Sequence, residues 1–144
     1  MGKVSIVYWS GTGNTEAMAA AIAEGAKDAG AEVELLTVDK AEAAAISEAK
    51  AFALGCPAMG AEELEEGEME PFMAELDSQI AGKTIALFGS YGWGGGEWMR
   101  DWESRVVADG AAVLSGEGII ADNAPDDDVL AECRAAGAKL AALV

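Results

Sequence analysis

The stretch Val4-Ser5-Ile6-Val7-Tyr8-Trp9-Ser10-Gly11-Thr12-Gly13-Asn14-Thr15 decides the fold. Its first residues form an apolar run of strand character, and from Glu16 onward the chain takes on an alanine-rich helical pattern. A strand therefore ends and a helix begins within residues 10–15. Two glycines permit a tight turn with backbone N–H groups aimed inward, while Ser10, Thr12, Asn14 and Thr15 contribute three hydroxyls and an amide. With a helix N-terminus behind them, these groups read as a phosphate cup that contains no cation.

The rest of the chain repeats this strand-then-helix unit. Residues 15–29 place Met18, Ile22 and Ala26 on one apolar stripe that Gly30 ends, and residues 33–38 read as a second buried strand. Residues 40–50 give a short helix of Ala, Glu and Lys, and residues 51–56 a third apolar run stopped by Pro57. Met69, Phe72, Met73, Leu76 and Ile80 mark a helix closed by Gly82. A fourth strand over 84–88 enters the glycine-dense segment Gly89-Ser90-Tyr91-Gly92-Trp93-Gly94-Gly95-Gly96, where close approach to a ligand is expected. A helix over 97–108 follows, then a fifth strand over 112–120 with a bulge marked by Gly116 and Gly118. The last helix spans 125–143, with Asp126, Asp127 and Asp128 in its first turn. Strands that read as continuously apolar imply burial on both faces. The expected architecture is a three-layer, doubly wound α/β fold with a five-stranded parallel sheet, one domain over residues 1–144. The loops 10–15, 57–62 and 90–96 follow strands one, three and four, so all three meet at the carboxyl edge of the sheet.

Composition narrows the functions. Nine Lys and Arg against 26 Asp and Glu give a net charge of −17, with no histidine to offset it, which disfavours nucleic acid and anionic membranes. Such a charge either steers the protein to basic protein surfaces or simply keeps it soluble. Cys56 and Cys133 form no CxxC and nothing resembling a metal-ligand set, so they read as buried free thiols in a reducing compartment. Met1-Gly2-Lys3-Val4 passes straight into the first strand without the features of a signal sequence, and no apolar run is long enough to span a membrane. A cytoplasmic location is expected.

The motifs can then be weighed one against another. The cup lacks the GxxxxGK[ST] spacing of nucleotide triphosphatases. Gly11 and Gly13 begin a dinucleotide fingerprint, and Asp39 stands where a ribose-binding acid would, but Glu16 occupies the third glycine's place. Neutral donors suit a terminal monophosphate and resist further negative charge on the ligand. Trp93, within the glycines, reads as a stacking platform for a planar ligand, whereas Trp98 and Trp102 read as a helix face packed on the sheet. Trp9, beside the cup, suits either role. Met59-Gly60 pairs an adaptable apolar contact with a peptide free to reorient. Of the acidic run 62–66, Glu62 alone has a ligand role and the others read as a solvated face. The chain offers no histidine base, no GxSxG elbow and no paired Cys and Arg of a phosphatase loop.

Taken together, Val7-Tyr8-Trp9-Ser10-Gly11-Thr12-Gly13-Asn14-Thr15, Gly55-Cys56-Pro57-Ala58-Met59-Gly60 and Leu87-Phe88-Gly89-Ser90-Tyr91-Gly92-Trp93-Gly94 resemble the short-chain flavodoxins of anaerobic bacteria along the whole chain. The resemblance implies a flavodoxin-like sheet of order 2-1-3-4-5 and one non-covalent FMN. By the same resemblance, Ser10, Thr12, Asn14, Thr15 and the amides around Gly11 and Gly13 would bind the phosphate. Met59 and Trp93 would flank the ring, with Trp9, Pro57, Ala58, Ser90, Tyr91, Gly94 and Asn123 completing the site. The amides of Gly92 and Trp93 would face the pyrimidine edge, Glu62 would accept from flavin N3–H, and the Gly60 carbonyl would accept from N5–H after reduction. Pro57 stands where some members carry serine, removing a phosphate donor. Ala61 stands where others carry serine or an acid, altering the Gly60 turn.

The implied activity is low-potential, one-electron transfer between redox enzymes in place of ferredoxin, by a monomer that docks basic faces of its partners. A flavin-dependent quinone or disulfide reductase on the same fold would need a substrate pocket from a longer insertion or a partner subunit. A flavin-binding module without redox work is the third reading.

Overall fold

The computed structural model describes residues 2–60, 62–92 and 94–144, so the readings of Ala61 and Trp93 lie outside the described residues. The parallel sheet is built from β1 (Lys3–Tyr8), β2 (Glu32–Thr37), β3 (Ala51–Gly55), β4 (Thr84–Tyr91), β5 (Ala112–Val113) and β6 (Ile119–Asp122). Its order is β2-β1-β3-β4-β5, with β6 also pairing to β4, which is the flavodoxin-like order expected. Strand alternation sends Phe52, Leu54, Ile85 and Leu87 to one face, where α3 (Met69–Leu76) and α4 (Glu97–Ala108) pack through Met69, Phe72, Trp98 and Trp102. The other face presents Ile6, Ala51, Ala53, Ala86 and Phe88 to α1 (Asn14–Asp28) and α5 (Asp127–Ala141). Small alanines on that face let the two helices lie close to the strands.

Continuous burial holds for β1, β3 and β4, but β2 departs from it. As the edge strand it has β1 as its one neighbour, and Leu35 is 41% exposed. The fifth strand is not continuous either. After Val113 a 3-10 turn over Leu114–Gly116 interrupts it, with Ser115 and Gly116 both at positive φ, 62° and 85°. Two consecutive left-handed residues cannot extend a ladder, so the chain leaves β4 and rejoins it as β6. The segment is held by Glu103, whose carboxylate accepts from the Gly118 N–H at 2.6 Å.

Helix limits also shift. In place of the helix expected over 40–50, a 3-10 turn over Val38–Lys40 leads to the four residues of α2 (Ala43–Ile46). α3 stops at Leu76, and Ile80 is buried from the turn that follows. In α5, Asp126 is the cap itself, its carboxylate accepting from the Val129 N–H at 2.9 Å. Both cysteines are buried and unpaired, and burial pushes each thiol up to about 12, which leaves them unreactive near neutrality. Among the described residues no helix is long and apolar enough to cross a membrane.

One ion-pair cluster fastens α3 to α4. Arg105 donates to both Asp77 oxygens through Nε and Nη2, the shortest contact being 2.8 Å, and to Glu70 at 2.8 Å through Nη1. Its neighbour Asp109 makes no hydrogen bond to that cation and feels its charge only weakly. A hydrogen bond to Asp77, followed by burial and the Asp77 charge, pushes the Asp109 carboxyl up to about 6. Because this value lies above the ordinary 3.8, the stability linked to the Asp109 proton is present at low pH and lost as pH rises through about 6. Asp109→Asn should therefore melt higher than the parent at neutral pH, with the gain closing in acid; calorimetry across that range checks it.

Candidate cofactor site

The loop after β1 supports itself. Ser10 Oγ accepts from the Gly13 N–H at 3.1 Å and the Glu16 N–H at 3.4 Å, which secures the first turn of α1 and leaves the hydroxyl proton free to donate outward. Thr12 and Gly11 are exposed, and Asn14 is half-buried at the helix start. Glu16 is the one carboxylate in that first turn, and the Tyr8 hydroxyl, donating at 3.1 Å, ties it down. Burial and then Glu16 raise the Tyr8 hydroxyl above its ordinary value, so it remains the donor. Thr15 is buried behind the loop, its hydroxyl 3.2 Å from that of Ser90.

After β3 the chain makes a closed turn. Met59 and Glu63 exchange two backbone hydrogen bonds of 2.9 Å, placing Gly60 and Glu62 at the tip. Gly60 and Glu62 both have left-handed φ, 49° and 60°. The second is unusual for a residue with a side chain, and its carboxylate explains it. Glu62 Oε2 accepts from the Trp98 N–H at 3.0 Å, at the N-terminus of α4, while Oε1 is buried with no partner among the described residues. Glu62 lines a small cleft with Ala58, Gly60 and Gly92. Gly94 is required beside it, because a Cβ there would collide with that oxygen.

These loops enclose a cavity of about 260 Å³ lined by Trp9, Gly11, Thr12, Asn14, Pro57, Ala58, Met59, Ser90, Tyr91, Gly92 and Asn123. No Lys or Arg is among them. The cavity thus joins the cup to the Met59 turn and the glycine loop. Ser10, Gly13 and Thr15 support it from behind, and Glu62, which is not among the lining residues, stands beside Ala58, Gly60 and Gly92 with Gly94 against its Oε1. Asn123 enters from the end of β6 at φ 61°, its N–H donating to the Tyr91 carbonyl at 2.7 Å. A larger cavity, about 320 Å³, lies between α5 and residues 114–119 and contains none of the expected site residues.

Several residues that hold the site carry no ligand signal in the sequence. Glu68 accepts from Trp9 Nε1 at 3.2 Å and so anchors the indole that forms one wall. Arg100 donates to the Gly95 and Gly96 carbonyls and steadies the glycine loop. Glu65, which reads from sequence as part of a solvated face, instead accepts from the N–H groups of Gly67, Glu68 and Met69 at 2.8, 2.7 and 3.0 Å. An acid four residues ahead of the helical stripe at Met69 is the available signal.

The sequence matches the Flavodoxin family over residues 6–137. It is 48% identical over 135 residues to a flavodoxin of Megasphaera elsdenii, covering 92% of this chain and 98% of that one. A Clostridium beijerinckii flavodoxin is also 48% identical, over 86% of this chain and 89% of its own. The solution structure of two-electron reduced M. elsdenii flavodoxin superposes with a TM-score of 0.86 at 47% identity, covering 94% of this chain and 98% of that one. The fold is thus that of a class of electron-transfer proteins. The chain belongs to the flavodoxin family, whose cofactor is FMN.

Burial alone would push the Glu65 carboxyl up, but its three backbone hydrogen bonds outweigh this and hold it below the ordinary carboxylate value. Its support is present above that ordinary value and lost as acid protonates the group. Glu65→Ala should lower unfolding free energy by about 1–2 kcal/mol at neutral pH, as for other lost helix caps. Urea titrations should show the difference narrowing in acid.

Proposed function

We propose that this chain holds one FMN non-covalently, as a single unit over residues 1–144, and serves as a low-potential one-electron carrier. The observation that carries this reading is Glu62 Oε1, a buried carboxylate oxygen without a partner among the described residues, which calls for an N–H donor beside Ala58, Gly60 and Gly92. The imide N3–H of a flavin is such a donor. On the other side, Ser10, Thr12, Asn14, the Thr15 N–H and the Gly11 amide receive the phosphate, while the Gly13 N–H and the Thr15 hydroxyl, engaged by Ser10 and Ser90, brace the cup. Trp9, Pro57, Ala58, Ser90, Tyr91, Gly94 and Asn123 shape the space between, while Met59 and Trp93 flank the ring. The amides of Gly92 and Trp93 face its pyrimidine edge.

Bound FMN supplies a ring that accepts electrons singly. The protein's part is to decide how easily each arrives. Gly60 sits at an exposed turn tip where even an added Cβ would meet nothing within 4 Å, so its carbonyl has room to turn toward a protonated N5. Glu62 and a cavity lining without Lys or Arg oppose added negative charge, which lowers the potential for the second electron. Each 1.4 kcal/mol of such opposition is worth about 60 mV per electron. Glu63 and Glu66, beside this tip, offer docking points to basic faces of redox enzymes otherwise served by ferredoxin. The carrier acts as a cytoplasmic monomer and not as a catalyst in its own right.

Anaerobic reduction of the FMN-loaded protein, followed by absorbance, should resolve two separate one-electron steps. A single two-electron step, or steady oxidation of a nicotinamide donor by quinone, would place it with the reductases instead. Replacing Glu62 by Ala should weaken FMN binding about tenfold or more, as loss of a hydrogen bond to a charged group does. Glu62→Gln should raise the second potential, because it keeps an acceptor and removes the charge. Calorimetric titration and potentiometry check the two effects separately.

A further inference from the structure

A regular parallel ladder would pair the Cys56 carbonyl with the Ser90 N–H, because the Cys56 N–H already donates to the Phe88 carbonyl at 3.0 Å. That rung is absent. The Cys56 carbonyl accepts instead from the indole Nε1–H of Trp98 at 2.9 Å, and the Ser90 N–H turns to Thr15 Oγ1 at 3.4 Å. One helix on each face of the sheet thus substitutes for half of a broken rung, α4 through Trp98 and α1 through Thr15. The ladder resumes one step later, where the Ala58 N–H donates to the Ser90 carbonyl at 3.0 Å.

We propose that Trp98 is a positioning residue for the flavin: by drawing the Cys56 carbonyl out of the β3–β4 ladder, its indole N–H fixes the base of the Met59-Gly60 turn and so its approach to the ring. This rests on the FMN reading above. Trp98 is 1% exposed and touches the site by further routes. Its backbone N–H holds Glu62 Oε2, and its ring packs against Tyr91 with centroids 5.7 Å apart. Gly89 makes the arrangement possible, since a Cβ there would strike the Cys56 carbonyl and come within 3.2 Å of Trp98 Cζ2. Removing the indole donor leaves a buried carbonyl beside the Ser90 N–H, its ordinary partner. The rung should close and carry residues 57–60 with it.

The test uses Trp98→Phe, which keeps a ring and removes the donor, and Gly89→Ala, which displaces the same carbonyl and removes no donor. Both variants should weaken FMN and riboflavin alike, by roughly fivefold or more, the equivalent of about 1 kcal/mol for one buried hydrogen bond. Equal losses are expected because the phosphate cup is untouched. The two one-electron potentials should also shift relative to each other. In flavin-free Trp98→Phe, hydrogen exchange at the Ser90 amide should slow as the rung forms. If the parent binds FMN and both variants keep its affinity and potentials, the positioning role is overturned while the carrier reading stands. It is equally overturned if only the melting temperature falls, or if FMN is weakened and riboflavin is not. A parent chain that takes up no FMN overturns the carrier reading and the role together.

Discussion

Everything at the site depends on one constraint of the sheet. β1 and β3 are neighbours, yet the chain leaves them toward opposite layers: β1 leads to α1, which packs with α5, and β3 leads toward α3, which packs with α4. Two loops that depart in opposite directions from adjacent strands cannot fill the space between them. The crevice is therefore a consequence of connection order and needs no special cavity-forming residues. What the residues decide is how its two lips are held, and each lip is held by groups from the layer it leads to. Ser10 secures the start of α1, and Trp98 of α4 secures the turn beyond β3.

Charge follows the same logic of anchoring. A chain of net charge −17 has carboxylates close to any cleft it forms, and mobile ones would compete for the donors of the cup. Four carboxylates around the cleft are instead tied: Glu16 to the Tyr8 hydroxyl, Glu62 to the Trp98 N–H, Glu65 to three backbone N–H groups and Glu68 to the Trp9 indole. Their charge is thereby fixed in position, so it acts as a standing field at the cleft and not as a fluctuating competitor.

The three loops are legible in the sequence because glycine and short polar side chains break an apolar pattern visibly, and because strand and helix alternate with unambiguous periods. The alternation around Phe52, Leu54 and the Met69 stripe carries the layers as well. What escapes reading is of another kind. Exposure of β2 depends on its being at the edge, a fact about neighbours and not about Val33 or Leu36 themselves. The break at Ser115 needs a non-glycine residue at positive φ, which composition does not announce. Trp98 is legible as a buried helix face, but its indole hydrogen bond joins residues 42 positions apart. Glu65 looks like its solvated neighbours until the start of α3 is located to within a residue.

The local rules that the structure breaks fall in one place. Glu62 adopts a left-handed backbone that disfavours any side chain, leaves one buried oxygen unpartnered and sits against a glycine that must lack a side chain. Within reach of it, a rung of the central sheet is exchanged for side-chain hydrogen bonds. Each departure costs on the order of 1–3 kcal/mol when taken alone. A fold built only for stability would close the rung and turn Glu62 to solvent. Their coincidence beside Ala58, Gly60 and Gly92 argues that the missing partner is a ligand group with an N–H donor, because that single addition satisfies the orphaned oxygen and gives the strained turn something to hold.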